Sequence, residues 1–133
     1  MKVRVKICCS IIMLFYSAFG FADIEGKVVK VLDGDTLDVL QENNHLTRVR
    51  LEGIDAPEKS QPYGQRSRQM LSSLTANQLV KIKSYGSDRY GRILGEITAP
   101  VRINEMMVLS GMAWANRQMK NMSHWKKRPV QRN

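Results

Sequence analysis

Cysteine and histidine each occur only twice in the 133 residues, and neither sits where the acidic and basic motifs gather. Both cysteines form the adjacent pair Cys8-Cys9. With no thiol after residue 9, a disulfide framework and a cysteine-bound zinc or iron–sulfur centre are excluded from the remainder of the chain. His45 falls in an expected hairpin turn and His124 near the C-terminus, both solvent-facing. Histidine-centred catalysis therefore has no residue beside the acidic clusters. Long apolar runs are missing as well: the stretch from Ile7 to Phe21 has about 15 residues, where a bilayer core needs about 20. Internal repeats and low-complexity linkers are absent.

What the first 22 residues do contain is a cationic start (Lys2, Arg4, Lys6), that short apolar middle and the small residues Gly20 and Ala22. These are the parts of a secretory signal peptide, with cleavage expected after Ala22. The competing reading is an uncleaved anchor. Residues 23–117 are expected to form one domain and residues 118–133 a basic helix or tail, the product being secreted or periplasmic.

Charge is the next strong feature. The chain carries 21 Lys+Arg against 12 Asp+Glu, and removal of the leader's three cations leaves 18 against 12. A net charge of about +6 on so small a domain suits a polyanionic partner, through long-range attraction and counterion release. It equally suits a soluble exported protein with no such partner.

Apolar residues from Ile24 to Gly53 come in short bursts separated by turn chemistry, which predicts strands over roughly 24–32, 36–42 and 46–52. Asp33-Gly34 and Glu42-Asn43-Asn44 supply the two hairpin signals. A helix is expected over roughly 65–76 with Met70, Leu71 and Leu74 on its apolar side, then strands over 78–85 and 92–97. A short helix over 103–110 should stop at Gly111, with Met106, Met107 and Trp114 buried. The fold class is α+β and mainly β. Five short strands with helices after the third and the fifth suggest an oligonucleotide/oligosaccharide-binding barrel flanked by two or three short helices.

Three clusters carry potential chemistry: Asp33-Gly34-Asp35-Thr36, Arg50-Leu51-Glu52-Gly53-Ile54-Asp55-Ala56-Pro57-Glu58, and Asp88-Arg89-Tyr90-Gly91-Arg92. Each alone has an ordinary reading as a turn, a solvated ion pair or an exposed loop. Together they are more informative. A hairpin centred on Asn43-Asn44 would set Asp35 opposite Glu52 and diagonal to Arg50, and would bring Asp35, Arg50, Asp55 and Glu58 to one rim of the barrel. Carboxylates can hold a hard divalent cation through oxygen, and arginine forks bind phosphate oxygens bidentately. Phosphodiester cleavage crowds negative charge onto phosphorus oxygens, so the combination suits that reaction.

The three blocks resemble the signature of the thermonuclease family, the staphylococcal-nuclease-like domains, over most of residues 24–117. The resemblance implies a five-stranded barrel and a calcium-dependent endo- and exonuclease, with magnesium as the alternative metal, that leaves 3′-phosphates on DNA and RNA. It implies that Asp35, Asp55 and the backbone carbonyl of Ala56 hold the metal, that Arg50 and Arg92 bind phosphate, and that Glu58 is the general base. Arg89 and Tyr90 would contact substrate, and Asn104-Glu105 matches the start of the family's second helix. Ala56 stands where threonine is often found. Arg117 and Met119 occupy the positions of two base-stacking tyrosines.

The implied partner is DNA and/or RNA as substrate, bound by a monomer with no stable membrane association once the leader is cleaved. A non-catalytic nucleic-acid-binding module of the same fold is the alternative. Such a module needs positive charge but neither metal carboxylates nor a base, whereas this sequence has both. A membrane-surface protein would need an amphipathic apolar face, and residues 117–133 offer little beyond Met119, Met122 and Trp125.

Overall fold

A computed structural model describes residues 23–116. The expected leader and the basic tail, with Arg117, Met119, His124 and Trp125, lie outside the described residues. Strand β1 spans Ile24–Asp33, β2 Thr36–Leu40, β3 Leu46–Leu51 and β4 Ile54–Asp55; helix α1 spans Gly64–Thr75. Strand β5 follows over Leu79–Ser87, β6 over Ile93–Ala99 and β7 over Val101–Arg102, then helix α2 over Ile103–Leu109 and β8 over Trp114–Ala115. The main sheet runs β3-β2-β1-β5-β6-β7, and a further parallel pairing of β3 with β6 closes its five principal strands into a barrel. The expected barrel with flanking helices is the fold observed. Three two-residue strands, β4, β7 and β8, were too short to leave a periodic signal.

Alternation decides which residues fill the barrel. Leu37 and Val39 of β2, Val49 and Leu51 of β3, Val80 and Ile82 of β5 and Ile97 of β6 are all buried. Strand β1 departs from strict alternation. Its pairing with β2 shifts between Val28 and Lys30, a bulge that leaves Val29 outside and returns Val31, rather than Lys30, to the interior. Without that extra residue a lysine would face the core. Packing is tight where β6 runs between β5 and β3: a Cβ on Gly95 would stand 2.6 Å from Ile82 Cγ2 and 3.1 Å from Val49 Cγ1. Only glycine fits there.

Helix α1 covers the barrel with Ser67, Leu71 and Thr75, each fully buried, while Met70 and Leu74 are half-buried against the same core. Burying Leu71 alone contributes roughly 2 kcal/mol. Helix α2 buries Ile103 and Met107, one turn apart, and ends at Gly111, whose φ of 75° is the expected left-handed stop. Met106 is half-buried rather than in the core, because it lies about 100° around the helix from Met107. Buried Asn104 ties helix to barrel: its Nδ2 donates to the carbonyls of Glu52 (2.8 Å) and Gly95 (3.0 Å), and its Oδ1 accepts from Ile97 N–H at 3.0 Å. Among the described residues no helix is long and apolar enough to cross a membrane.

Candidate active site

The β2–β3 hairpin corrects the expected register by one residue. Gln41 N–H donates to the His45 carbonyl, and Asn44 adopts φ 59°, so the loop is the three residues Glu42-Asn43-Asn44 instead of a two-residue turn. Thr36 accordingly pairs with Arg50, and Asp35 faces Leu51 instead of Glu52, with Leu51 N–H donating to the Asp35 carbonyl at 2.8 Å. His45 is exposed in that hairpin, as expected.

Asp35 reaches Arg50 despite the changed register, because Gly34 and Asp35 form the tip of the β1–β2 turn, free of strand alternation. That tip is pressed against helix α1. A Cβ on Gly34 would stand 2.7 Å from Ser67 Cβ and 2.9 Å from Ala56 Cβ, and would overlap Ser67 Oγ. Ser67 is itself held, donating from Oγ to the Met112 carbonyl at 2.7 Å. The carboxylate of Asp35 is 14% exposed. Its Oδ1 accepts from Thr36 Oγ1 at 2.9 Å and its Oδ2 from Ala56 N–H at 3.1 Å.

Arg50 is the centre of the cluster. Its Nη2 lies 2.6 Å from Asp55 Oδ1 and 3.5 Å from Asp35 Oδ2. Nη1 donates to the carbonyls of Leu51 and Ile54, each at 3.1 Å. The chain can wrap around its own guanidinium because Gly53, at φ 81°, turns it back immediately after β3. Two carboxylates around one guanidinium leave one net negative charge. Glu52 adds a further carboxyl nearby: burial pushes its pKa up, Arg50 opposes that and Asp55 reinforces it. Unlike Asp35, Glu52 was read from the sequence only as a cross-strand partner.

Glu58 lies on the exposed loop after Pro57, with its backbone N–H bonded to Gln61 Oε1 at 2.8 Å and its carbonyl accepting from Gln61 N–H. The carboxylate stands in solvent, two residues past Ala56. Arg92 comes from a separate turn and is bonded there: its Nε donates to Asp88 Oδ2 at 2.7 Å, while Asp88 Oδ1 accepts from the N–H groups of Tyr90 and Arg92. Burial would raise the Asp88 carboxyl, but these bonds from Arg92 and Tyr90 outweigh it and hold the pKa below its ordinary value. Arg92 directly precedes Ile93, whose parallel partner in β3 is Val49, next to Arg50. Tyr90 is exposed, with the guanidinium groups of Arg89 and Arg92 at 4.9 and 5.5 Å from its ring centre. Asp35, Arg50, Asp55 and Ala56 thus form one contact cluster; Glu58 borders it in sequence, and Arg92, bonded to Asp88 in its own turn, leads into the strand that pairs beside Arg50.

The donors in that cluster are oxygens only, which fits a hard cation such as calcium or magnesium and not a soft metal. Among the described residues no group of three His, Cys, Asp or Glu converges as a metal cage. Two carboxylates with a neighbouring peptide would leave most of the coordination sphere to water and substrate oxygens.

A family model described as "Staphylococcal nuclease homologue" matches residues 48–131. The chain belongs to this family. The matched span takes in Arg50, Asp55, Ala56, Glu58, Arg89, Tyr90 and Arg92, while Asp35 precedes it. Similar proteins include a "Micrococcal nuclease" of Shigella flexneri, 47% identical over an alignment of 116 positions that covers 80% of this chain and 66% of the relative. An "Uncharacterized endonuclease" of Escherichia coli is 48% identical over 99 residues, 73% of this chain and 64% of the relative. Another from Haemophilus influenzae is 41% identical over 117 residues, 85% and 66% of the two chains. The chain therefore spans about two thirds of the length of these relatives.

Within this staphylococcal-nuclease-like domain, several supporting contacts left no signal in the sequence. Ser67 under Gly34 and Asn104 behind Glu52 are distant in sequence from what they hold, by 33 and 52 positions, and only the folded chain joins them. Asp88 belonged to a recognised block without a role, and it proves to be the anchor of Arg92. Trp114, expected to be buried, is 65% exposed. It lies in the two-residue ladder β4–β8, where alternation turns Ala113 to the core and Trp114 outward.

Proposed function

We propose that the protein is a metal-dependent nuclease that hydrolyses phosphodiester bonds of DNA and/or RNA, leaving 3′-phosphate ends. The observation that carries this reading is the single Arg50 nitrogen shared by Asp35 and Asp55, at 3.5 and 2.6 Å, in a chain of this family. Asp35, Asp55 and the Ala56 carbonyl would hold a calcium ion, with magnesium as the alternative. When bound, the cation neutralises charge on a phosphate oxygen.

The chain's own residues account for the rest. Arg50 is oriented by two backbone carbonyls and a carboxylate, so its fork is set before substrate arrives and strengthens its hold as negative charge builds at phosphorus. Arg92 would exchange part of its bond to Asp88 for a second phosphate oxygen. Glu58, in solvent at the edge of the cluster, takes the proton of the attacking water. The oxygen of water bonds to phosphorus, the bond to the 5′-oxygen breaks and that oxygen leaves as a hydroxyl by taking a proton from solvent, and the phosphate remains on the 3′ side. Tyr90 and Arg89 flank the substrate. Upstream, residues 1–22 serve as a cleaved leader, and the product acts as a secreted or periplasmic monomer.

The test is digestion of single-stranded DNA, duplex DNA and RNA by the purified protein with calcium, with magnesium and with chelator, beside Glu58→Ala. Cleavage requiring metal, reduced about a hundredfold or more in the variant, supports the reading; resistance of the new 3′ ends to ligation until phosphatase treatment supports the stated polarity. Binding without cleavage under every metal would instead identify a nucleic-acid-binding module. Sequencing the N-terminus of exported product should begin at Asp23.

A further inference from the structure

An exposed tryptophan is not by itself informative, because isolated apolar side chains are common on protein surfaces. The position of Trp114 is. In the β4–β8 ladder it is the direct antiparallel partner of Asp55, the residue whose carboxylate holds Arg50 at 2.6 Å. Side chains of such partners project to the same face with Cβ atoms about 5 Å apart. The indole consequently borders the cluster that would receive the phosphate. Its backbone is also fixed: Ala113 N–H donates to the Met107 carbonyl at 3.1 Å and Asn116 N–H to the Gly53 carbonyl at 2.8 Å, bracketing Trp114 on both sides. A flat ring on an anchored strand loses little freedom when something stacks on it.

We propose that Trp114 is a stacking platform for a nucleobase next to the scissile phosphate, and that it selects single-stranded over duplex substrate. This deepens the nuclease reading and rests on it. Every base has a π-face, so the platform would tolerate all sequences. Bases inside a duplex have both faces covered by their neighbours, whereas a single strand can turn one toward the indole. Cationic charge at Arg50 holds the adjoining phosphate, while Trp114 holds the base and distinguishes the strand state.

The experiment compares the full chain with Trp114→Ala and Trp114→Tyr in steady-state cleavage of a single-stranded oligonucleotide under calcium. Trp114→Ala should raise KM about tenfold with kcat within about twofold, and Trp114→Tyr should recover most of the loss. An oligonucleotide with abasic residues flanking the cleaved bond should erase the difference between the chains. A second measurement does not require Trp114→Ala to fold: in a Trp125→Phe background, saturating single-stranded oligonucleotide in chelator should quench the fluorescence of Trp114, and duplex should quench it less. Unchanged KM in folded Trp114→Ala, or fluorescence indifferent to bound oligonucleotide, overturns the platform and leaves the nuclease reading standing. Absence of cleavage by the unaltered chain overturns the nuclease reading, and the quenching then judges the platform separately.

Discussion

Arg50 Nη2 lies 2.6 Å from Asp55 Oδ1, and the other terminal nitrogen of the same guanidinium caps the carbonyls of Leu51 and Ile54. One side chain therefore holds the loop that leads into the cluster and offers its charge to a ligand. Lysine carries the charge but has a single nitrogen, which cannot occupy both positions. Arg50→Lys should lower kcat about a hundredfold or more while costing about 1 kcal/mol of stability. Cleavage assays beside urea denaturation separate the two effects; near-normal kcat would mean that Arg50 is only a structural clamp.

Gly34 sets the position of Asp35 by close approach. Alanine there would drive its Cβ toward Ser67 and Ala56, neither of which has a flexible end to move aside. Gly34→Ala should destabilise the domain by roughly 1–3 kcal/mol, the range for overpacking, and displace the carboxylate from Arg50. Denaturation midpoints measure the first effect and calcium affinity the second. A variant of unchanged stability would show that the β1–β2 tip can lift away from helix α1 at no cost.

Asn104 satisfies three backbone groups from β6 and the end of β3 while fully buried. Truncation leaves Ile97 N–H and the Glu52 carbonyl without that partner in the interior. Asn104→Ala should cost about 3 kcal/mol, read as a lowered denaturation midpoint at constant slope. A loss below about 1 kcal/mol would indicate that water replaces the amide.

Tyr85 offers a test of local electrostatics at high pH. Burial and the neighbouring Glu96, which accepts its hydroxyl at 3.0 Å, push its pKa up from 10.0 to about 12. Because the folded chain keeps this proton when the unfolded chain has lost it, the associated stability is complete below pH 10 and is lost as the pH rises through about 12. Phenolate absorbance should show one tyrosine titrating last, and Tyr85→Phe should remove that phase. A single transition near the ordinary value for all tyrosines would contradict the arrangement.

Much was determined by the amino-acid sequence alone, because the relevant signals are local. Alternation in 46–51 and 79–83, the stop at Gly111 and the blocks around Asp35, Asp55 and Arg92 each depend on residues a few positions apart, and they suffice for the barrel and the family. Tertiary structure decided whatever depends on relative placement. A one-residue difference in loop length at Glu42-Asn43-Asn44 changed which residue faces Asp35, since strand partners shift together and no single side chain reports the register. Ser67 beneath Gly34, Asn104 behind Glu52 and Trp114 beside Asp55 are contacts between segments far apart in the chain. Sequence spacing carries no measure of such distances; packing creates them.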